Sequence, residues 1–549
     1  MKKLLCGAIG SCVHIAGLYR FTQLAEKEGY LTTYLGGAVP VQKMIDAIVE
    51  VQPDIVAISY RLSAEAMENI LEEFFTSLEK VDQQKRIFLF GGTVETTAVA
   101  RSFPQFSRFF DGSEDEEEVV LFLRNQTAEA EDQRIPPQRL GERIAWKKPY
   151  PLIRHHIGLP TLGETEEEVK ILAESRLLDI ISLAPDQNAQ QSFFRPKEID
   201  PKQDGAGGAP FRCEADFQRM YAVSRRGNHP LMRCYSGTRD LIPFSQVLID
   251  TVHNAWAAVP LTWYSALDRR SDRPLLEAIQ ENQRAIRYNA ERKVPVEINE
   301  AHQWALRFAH DAMDVATSYI AALNAYRLGV NEYVMQFMLC TPAELSPKMD
   351  LAKALAKWEM VQPLIEESEK KKTPFHIYKM IRTGLLSYKT DTALSKGQLT
   401  ASMFYGAFLE PDIVHVVAFC EAVRRATSVE ILESVKMVKQ ALNMAYKGLP
   451  DLSADQELKS RKDRLIIEAS VILDAIAGLD RTIKDPLCTP EIIEQAILTG
   501  ILDAPGLSVG PAKAVVKTGI VNGANESLDE NGAVLSEKER IGRLAVRPV

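Results

Sequence analysis

Gly10-Ser11-Cys12-Val13-His14-Ile15-Ala16-Gly17 is the stretch whose reading decides the fold. Ahead of it, residues 3–9 form a short apolar run that reads as a strand. Behind it, residues 14–28 carry apolar side chains at helical spacing. A strand that passes through such a turn into a helix opens a βαβ unit. The pattern then repeats. Residues 30–35, 54–59, 86–90 and 106–111 read as further strands, and 41–51, 64–80 and 93–100 as the helices between them. Gly36-Gly37, Pro40 and Pro53 mark the joins. This alternation predicts an α/β doubly wound parallel sheet whose ligands sit at the carboxyl ends of the strands. His14, Ser59 and Gly91-Gly92 all fall at such ends. The acidic run 113–118 reads as the solvated start of a last helix, where carboxylates are favoured.

With 549 residues the chain exceeds one ordinary core, so two or three domains are expected. A net charge of −9 without a basic stripe argues against a nucleic-acid surface. The seven cysteines show no CxxC spacing and read as reduced thiols, which predicts a cytoplasmic protein. The opening Met-Lys-Lys-Leu-Leu is broken by Gly7, Gly10 and Ser11, so strand one is expected there rather than a leader. No apolar run is long enough for a membrane span. Residues 1–125 therefore form the first domain. Residues 126–149, polar and carrying Pro136-Pro137, are expected to be a linker.

Residues 150–549 return to alternation on a larger scale. Apolar segments at 178–183, 231–235, 261–266, 294–299 and 333–338 are separated by helical patterns at 274–292, 305–328 and 349–359. That rhythm predicts a (β/α)8 TIM barrel with a carboxy-terminal extension, its chemistry on the loops after the strands. Glu297 stands at one predicted strand end, with Glu300 and His302 following it, and these three are the catalytic candidates. Arg233, Arg239 and Arg269-Arg270-Arg273 could grip an acid or could salt-bridge around the barrel. Gly205-Ala206-Gly207-Gly208 has no strand before it and is not expected to be a phosphate loop.

Three turns of the first domain carry a family resemblance. Cys12-Val13-His14-Ile15-Ala16-Gly17, Ser59-Tyr60-Arg61-Leu62 and Gly91-Gly92 resemble the cobalamin-binding signature Asp-x-His-x-x-Gly, Ser-x-Leu, Gly-Gly. Cys12 stands where the family has Asp, and Leu62 falls one residue late. The resemblance implies a flavodoxin-like cobalamin-binding domain in which His14 is the lower ligand of cobalt and the nucleotide tail enters a slot beside the sheet. Ser11, Cys12, Gly17, Ser59, Arg61, Leu62, Gly91, Gly92 and Thr93 would form the rest of the cofactor site. A neutral imidazole suits a transition metal, and its second nitrogen needs a fixed partner, which a thiol supplies more weakly than a carboxylate.

The second region resembles the large barrel subunit of glutamate mutase (methylaspartate mutase), and residues 1–125 its small subunit. The similarity runs through Gly237-Thr238-Arg239-Asp240, Val294-Pro295-Val296-Glu297-Ile298-Asn299, Gln336-Phe337-Met338-Leu339-Cys340 and Gly500-Ile501-Leu502-Asp503-Ala504-Pro505. It implies an adenosylcobalamin-dependent carbon-skeleton isomerase, in which a 5′-deoxyadenosyl radical takes a substrate hydrogen beneath a capping cofactor domain. Two arginines that hold carboxylate in the family correspond to Tyr235 and Gln190, and the family's glutamate to Ala301. The substrate is therefore expected to be a small amino or carboxylic acid other than glutamate, met by Gln190, Arg233, Tyr235, Arg239 and Tyr264. A homodimer without nucleic-acid or membrane partners is expected. Two alternatives stand beside this reading. A methylcorrinoid methyltransferase would need a four-helix cap ahead of the cofactor domain, and a non-catalytic corrinoid sensor would have little use for a barrel.

Overall fold

The computed structural model describes residues 2–114, 116–125, 135–452 and 454–544. The chain divides into two compact units, Met1–Arg134 and Ile135–Val549.

In the first unit, β1 (Lys3–Ala8), β2 (Leu31–Tyr34), β3 (Ile55–Ser59), β4 (Ile87–Gly91) and β5 (Phe106–Phe110) pair in parallel in the order β2-β1-β3-β4-β5. The central strands are buried along their length, Leu4, Leu5, Cys6 and Ala8 having no exposure, because helices cover both faces. Helices Ala16–Lys27 and Glu116–Asn125 contact each other. Val41–Val51, Ala64–Val81 and Val94–Ala100 form the other set. The strand order reverses beside β1, and β1 and β3 there lead into the turns that hold His14 and Ser59.

The second unit is built on eight parallel strands: β6 (Leu152–Ile157), β7 (Ile180–Leu183), β8 (Leu231–Cys234), β9 (Ala257–Pro260), β10 (Val296–Asn299), β11 (Glu332–Leu339), β12 (His376–Thr383) and β13 (Ile413–His415). Continuous ladders join them from β8 through β7, β6, β13, β12, β11 and β10 to β9. The remaining seam, β8 to β9, is closed by a parallel bridge of Tyr235 with Ala258 and by Ala255 N–H donating to Met232 O at 2.8 Å.

Three expectations change. The segment 261–266 is not a strand: β9 ends at Pro260, and the loop begins where the apolar run continues. Residues 256–265 are buried without a break, so periodicity cannot locate the strand end. The helix read at 305–328 begins only at Asp311 and runs to Arg327, and a break separates it from a short, unexpected helix, Ala301–Ala305. Part of the stretch read as linker, Leu140–Lys147, is a helix. Its Leu140 and Ile144 pack on Leu152, Ile180 and Leu231, the first residues of β6, β7 and β8, and so close the amino-terminal end of the barrel. Residues 126–134 of that linker lie outside the described residues.

The carboxy-terminal extension adds a hairpin, β14 (Lys517–Val521) and β15 (Ala524–Leu528), turned by Asn522-Gly523 with both φ angles positive. His310 fastens it, with Nε2 3.1 Å from Glu526 of β15 and Nδ1 2.9 Å from Glu537 of the final helix. No helix among the described residues is long and apolar enough to cross a membrane.

Candidate functional site

Each unit carries a cavity at the carboxyl ends of its strands. In the first, a slot of about 270 Å³ opens between β3, β4 and the helices Ala16–Lys27 and Glu116–Asn125. Leu24, Leu89 and Phe110 make its walls apolar, while His14, Ser59 and Arg61 supply polar groups. Gly17 and Gly91 keep it open. Among the described residues, a Cβ on Gly17 would meet nothing within 4 Å, and one on Gly91 only Phe110 O at 4.0 Å. Gly92 has a different reason to be glycine: its Cβ would fall 2.2 Å from Thr96 Oγ1 and 3.0 Å from Tyr60 O.

His14 is exposed at this slot. The buried Cys12 accepts a hydrogen bond from the Arg61 N–H at 3.3 Å, and its Sγ lies 3.9 Å from His14 Nδ1. The thiol thus stands beside one ring nitrogen, and Nε2 has no partner among the described residues. A histidine held this way offers Nε2 to a metal. Thr93 does not reach the slot; it caps the helix Val94–Ala100 in a capping box with Thr96. Ser11 and Leu62 are exposed and also lie outside the slot, where Arg61 occupies the place expected of Leu62.

The second cavity, about 380 Å³, lies at the mouth of the barrel. Six candidates from the sequence line it: Gln190, Tyr235, Tyr264, Arg270, Glu297 and His302. Glu297 accepts a hydrogen bond from Trp256 Nε1 at 2.7 Å and stands 3.8 Å from Arg233. His302 is buried among Arg382, Lys357, Arg307 and Arg270. Burial first, and those cations after it, hold the imidazole well below its usual range and therefore neutral.

Three other candidates are placed elsewhere. Glu300 turns inward, where its carboxylate accepts from Thr262 N–H at 3.0 Å, Thr262 Oγ1 at 2.6 Å and Trp304 Nε1 at 2.8 Å. Burial pushes it up to about 7 against those bonds. It braces the loop after β9 and does not line the cavity. Arg239 faces outward to Glu198 at 2.7 Å and Asp272 at 3.6 Å. Arg233 is fully buried and does not line the cavity. Of the arginine cluster, Arg270 reaches the cavity, whereas Arg273 pairs with Glu281 at 2.6 Å and Arg269 donates to Val509 O.

The structure adds His156, Asn299, Gln303, Gln336 and Arg382 to the lining. Asn299 Nδ2, Gln336 Nε2 and Arg382 Nε are buried donors without partners among the described residues. Buried donors are ordinarily satisfied, so three at one cavity favour an oxygen-rich ligand there. Asn299 and Gln336 stood in motifs legible in the sequence. His156 and Arg382 belong to β6 and β12, whose mixed composition hid them.

His155, His156 and Glu421 bring a ligand atom each within 4.8 Å of one another. Hydrogen-bond direction favours protons over a metal at that cluster. Arg154 Nη1 can only donate, so His415 Nδ1, 3.1 Å away, accepts. His415 then donates from Nε2 to His156 Nδ1 at 3.3 Å, which leaves His156 Nε2 protonated toward Glu421 at 3.2 Å. A metal there would have to displace that proton.

Neither a protein-family model nor a curated protein matches the chain. Among solved structures, a cobalamin-binding protein from Desulfitobacterium hafniense is 23% identical over 20% of this chain and 52% of its own, with a TM-score of 0.17. A GH138 enzyme targeting pectin rhamnogalacturonan II is 9% identical over 86% of this chain and 55% of its own, at 0.32. The cobalamin-dependent S-adenosylmethionine radical enzyme OxsB, with aqua-cobalamin and S-adenosylmethionine bound, is 10% identical over 86% of this chain and 56% of its own, at 0.21. The chain thus spans about half the length of each of these. At such TM-scores the likenesses decide neither fold nor function.

Proposed function

We propose that the chain is a corrinoid-dependent enzyme, an adenosylcobalamin-dependent isomerase that rearranges the carbon skeleton of a small amino or carboxylic acid other than glutamate. The observation that carries this reading is the apolar slot kept open by Gly17 and Gly91, with an exposed histidine beside it. A flat, largely apolar nucleotide base fits such a slot, and His14 is the residue that would take cobalt through Nε2, with Cys12 beside Nδ1. Ser59 and Arg61 would supply polar contacts to the tail. When bound, adenosylcobalamin supplies the organic radical chemistry. The barrel residues bind and orient the acid. Arg382, Asn299 and Gln336 present donors suited to a carboxylate, and Glu297 is the carboxylate at the cavity that can accept from an ammonium or hydroxyl group.

The test adds adenosylcobalamin to the full chain and reads the corrinoid spectrum. A histidine-bound spectrum is expected for the wild type, and His14→Ala should bind without it. Identical spectra from the two proteins, or no binding by either, would remove the reading. A screen of amino and hydroxy acids against the loaded protein then identifies the substrate through loss of the intact cofactor's absorbance.

A further inference from the structure

Three arginines of the barrel strands repel one another: Arg154 on β6, with Arg233 on β8 and Arg382 on β12 close enough to act on it. Arg154 and Arg233 are at most 1% exposed. Among the described residues Arg233 makes no hydrogen bond through any of its three nitrogens, and its guanidinium lies over the rings of Tyr235 and Trp256, 4.8 Å from each centroid. One carboxylate, Glu297, stands near it, at 3.8 Å. Buried cations that outnumber their anions are unfavourable, and a neighbouring group able to become an anion relieves them. Tyr235 is placed to be that group. Its side chain lines the cavity, its ring lies beside Arg233, and its hydroxyl has no partner among the described residues.

We propose that Tyr235 is the proton-exchanging residue of the barrel cavity, working on a carbonyl or carboxylate oxygen of the bound acid. The proposal rests on reading that cavity as the substrate site. The tyrosine O–H bond breaks as an O–H bond forms on the ligand, and the electron pair stays on Oη beside the arginines. The proton returns in the reverse step, so no oxidant or further reactant is needed.

The groups facing the phenol come from several elements. β6 brings Arg154 and His156, β8 Arg233, β10 Glu297 and β12 Arg382, while the loop after β9 brings Tyr264. Glu297 opposes the phenolate and the cations favour it. Burial alone pushes the Tyr235 phenol up; the guanidinium charges, Arg154 foremost with Arg233 and Arg382 behind it, outweigh burial and bring the group down to about 8. Tyr264 lines the same cavity with Arg270 as its main cation, and burial keeps it raised. Position among the arginines, rather than exposure to the cavity, separates the two.

The test is a near-ultraviolet titration of the full chain from about pH 6 to about pH 10, where phenolate absorbance counts ionised tyrosines. One of the sixteen tyrosines should ionise around pH 8, ahead of the rest, and Tyr235→Phe should abolish that step. Arg382→Met should move it upward. Tryptophan fluorescence and the corrinoid spectrum report whether each variant is folded. A wild type with no separate phenolate step between about pH 7 and about pH 9, or an early phenolate that survives in Tyr235→Phe, overturns the proposal. Where an acid is turned over, its rate should carry a pH limb at the same place, absent from Tyr235→Phe, and an unchanged rate and profile in that variant also overturns it. An early Tyr235 phenolate in a protein that isomerises no acid would instead leave the tyrosine assignment standing and remove the isomerase.

Discussion

His310 is the place where one substitution should reveal how the carboxy-terminal extension is held. The imidazole is 3% exposed and touches Glu526 at 3.1 Å and Glu537 at 2.9 Å. Burial pushes it down, but the two carboxylates outweigh burial and raise it from 6.5 to about 9. A folded-state value above the unfolded one means that the stabilisation is complete below about pH 6.5 and is lost as pH climbs through about 9. At about 1.4 kcal/mol per tenfold change in proton affinity, the difference is worth roughly 3 kcal/mol. All five tryptophans, at 146, 256, 263, 304 and 358, lie in the second unit, so their fluorescence in urea follows that unit alone. Unfolding measured at several pH values should show the wild type losing about 3 kcal/mol more than His310→Gln between pH 6.5 and 9. Glu300, which also titrates in this range, contributes equally to both proteins and cancels. Parallel slopes for the two would refute the clamp.

Other outcomes follow from the glycines and the cavity lining. Gly17→Val should leave the first unit folded, because no described residue lies within 4 Å of its Cβ, yet weaken corrinoid binding at least tenfold by calorimetric titration, about 1.4 kcal/mol. Gly92→Ala should do the reverse: with Thr96 Oγ1 at 2.2 Å from the new Cβ, it should cost about 1–3 kcal/mol in thermal or urea unfolding. Arg382→Met should raise KM for the acid substrate by about tenfold or more while leaving the corrinoid spectrum unchanged, since Arg382 belongs to the second cavity. A changed spectrum with an unchanged KM would contradict that assignment.

Legibility differed between the two units for a physical reason. In the first, the central strands β1, β3 and β4 are short apolar runs between turn-forming residues and the helices between them carry apolar residues at helical spacing, so the alternation could be followed along the chain. In the second, β6 carries Arg154, His155 and His156, β12 carries Lys379 and Arg382, and β13 has three residues, so none of them shows an apolar strand pattern. The barrel buries these polar groups by pairing them across adjacent strands, as Arg154 does with Ser182 of β7 at 2.7 Å and with His415 of β13.

What the sequence determined by itself was local: the alternation of strands and helices in the first unit, the turns that carry His14, Ser59 and Gly91, and the barrel rhythm behind them. Tertiary structure decided which side chains converge. It turned Glu300 inward to Thr262 and Trp304, sent Arg239 out to Glu198, and brought His156 and Arg382 to the cavity that Glu297 also lines. Spacing along a chain reports the period of an element, whereas a barrel mouth is assembled from strand ends far apart in sequence. The choice between a functional carboxylate and a structural one depends on which neighbours reach it across that gap.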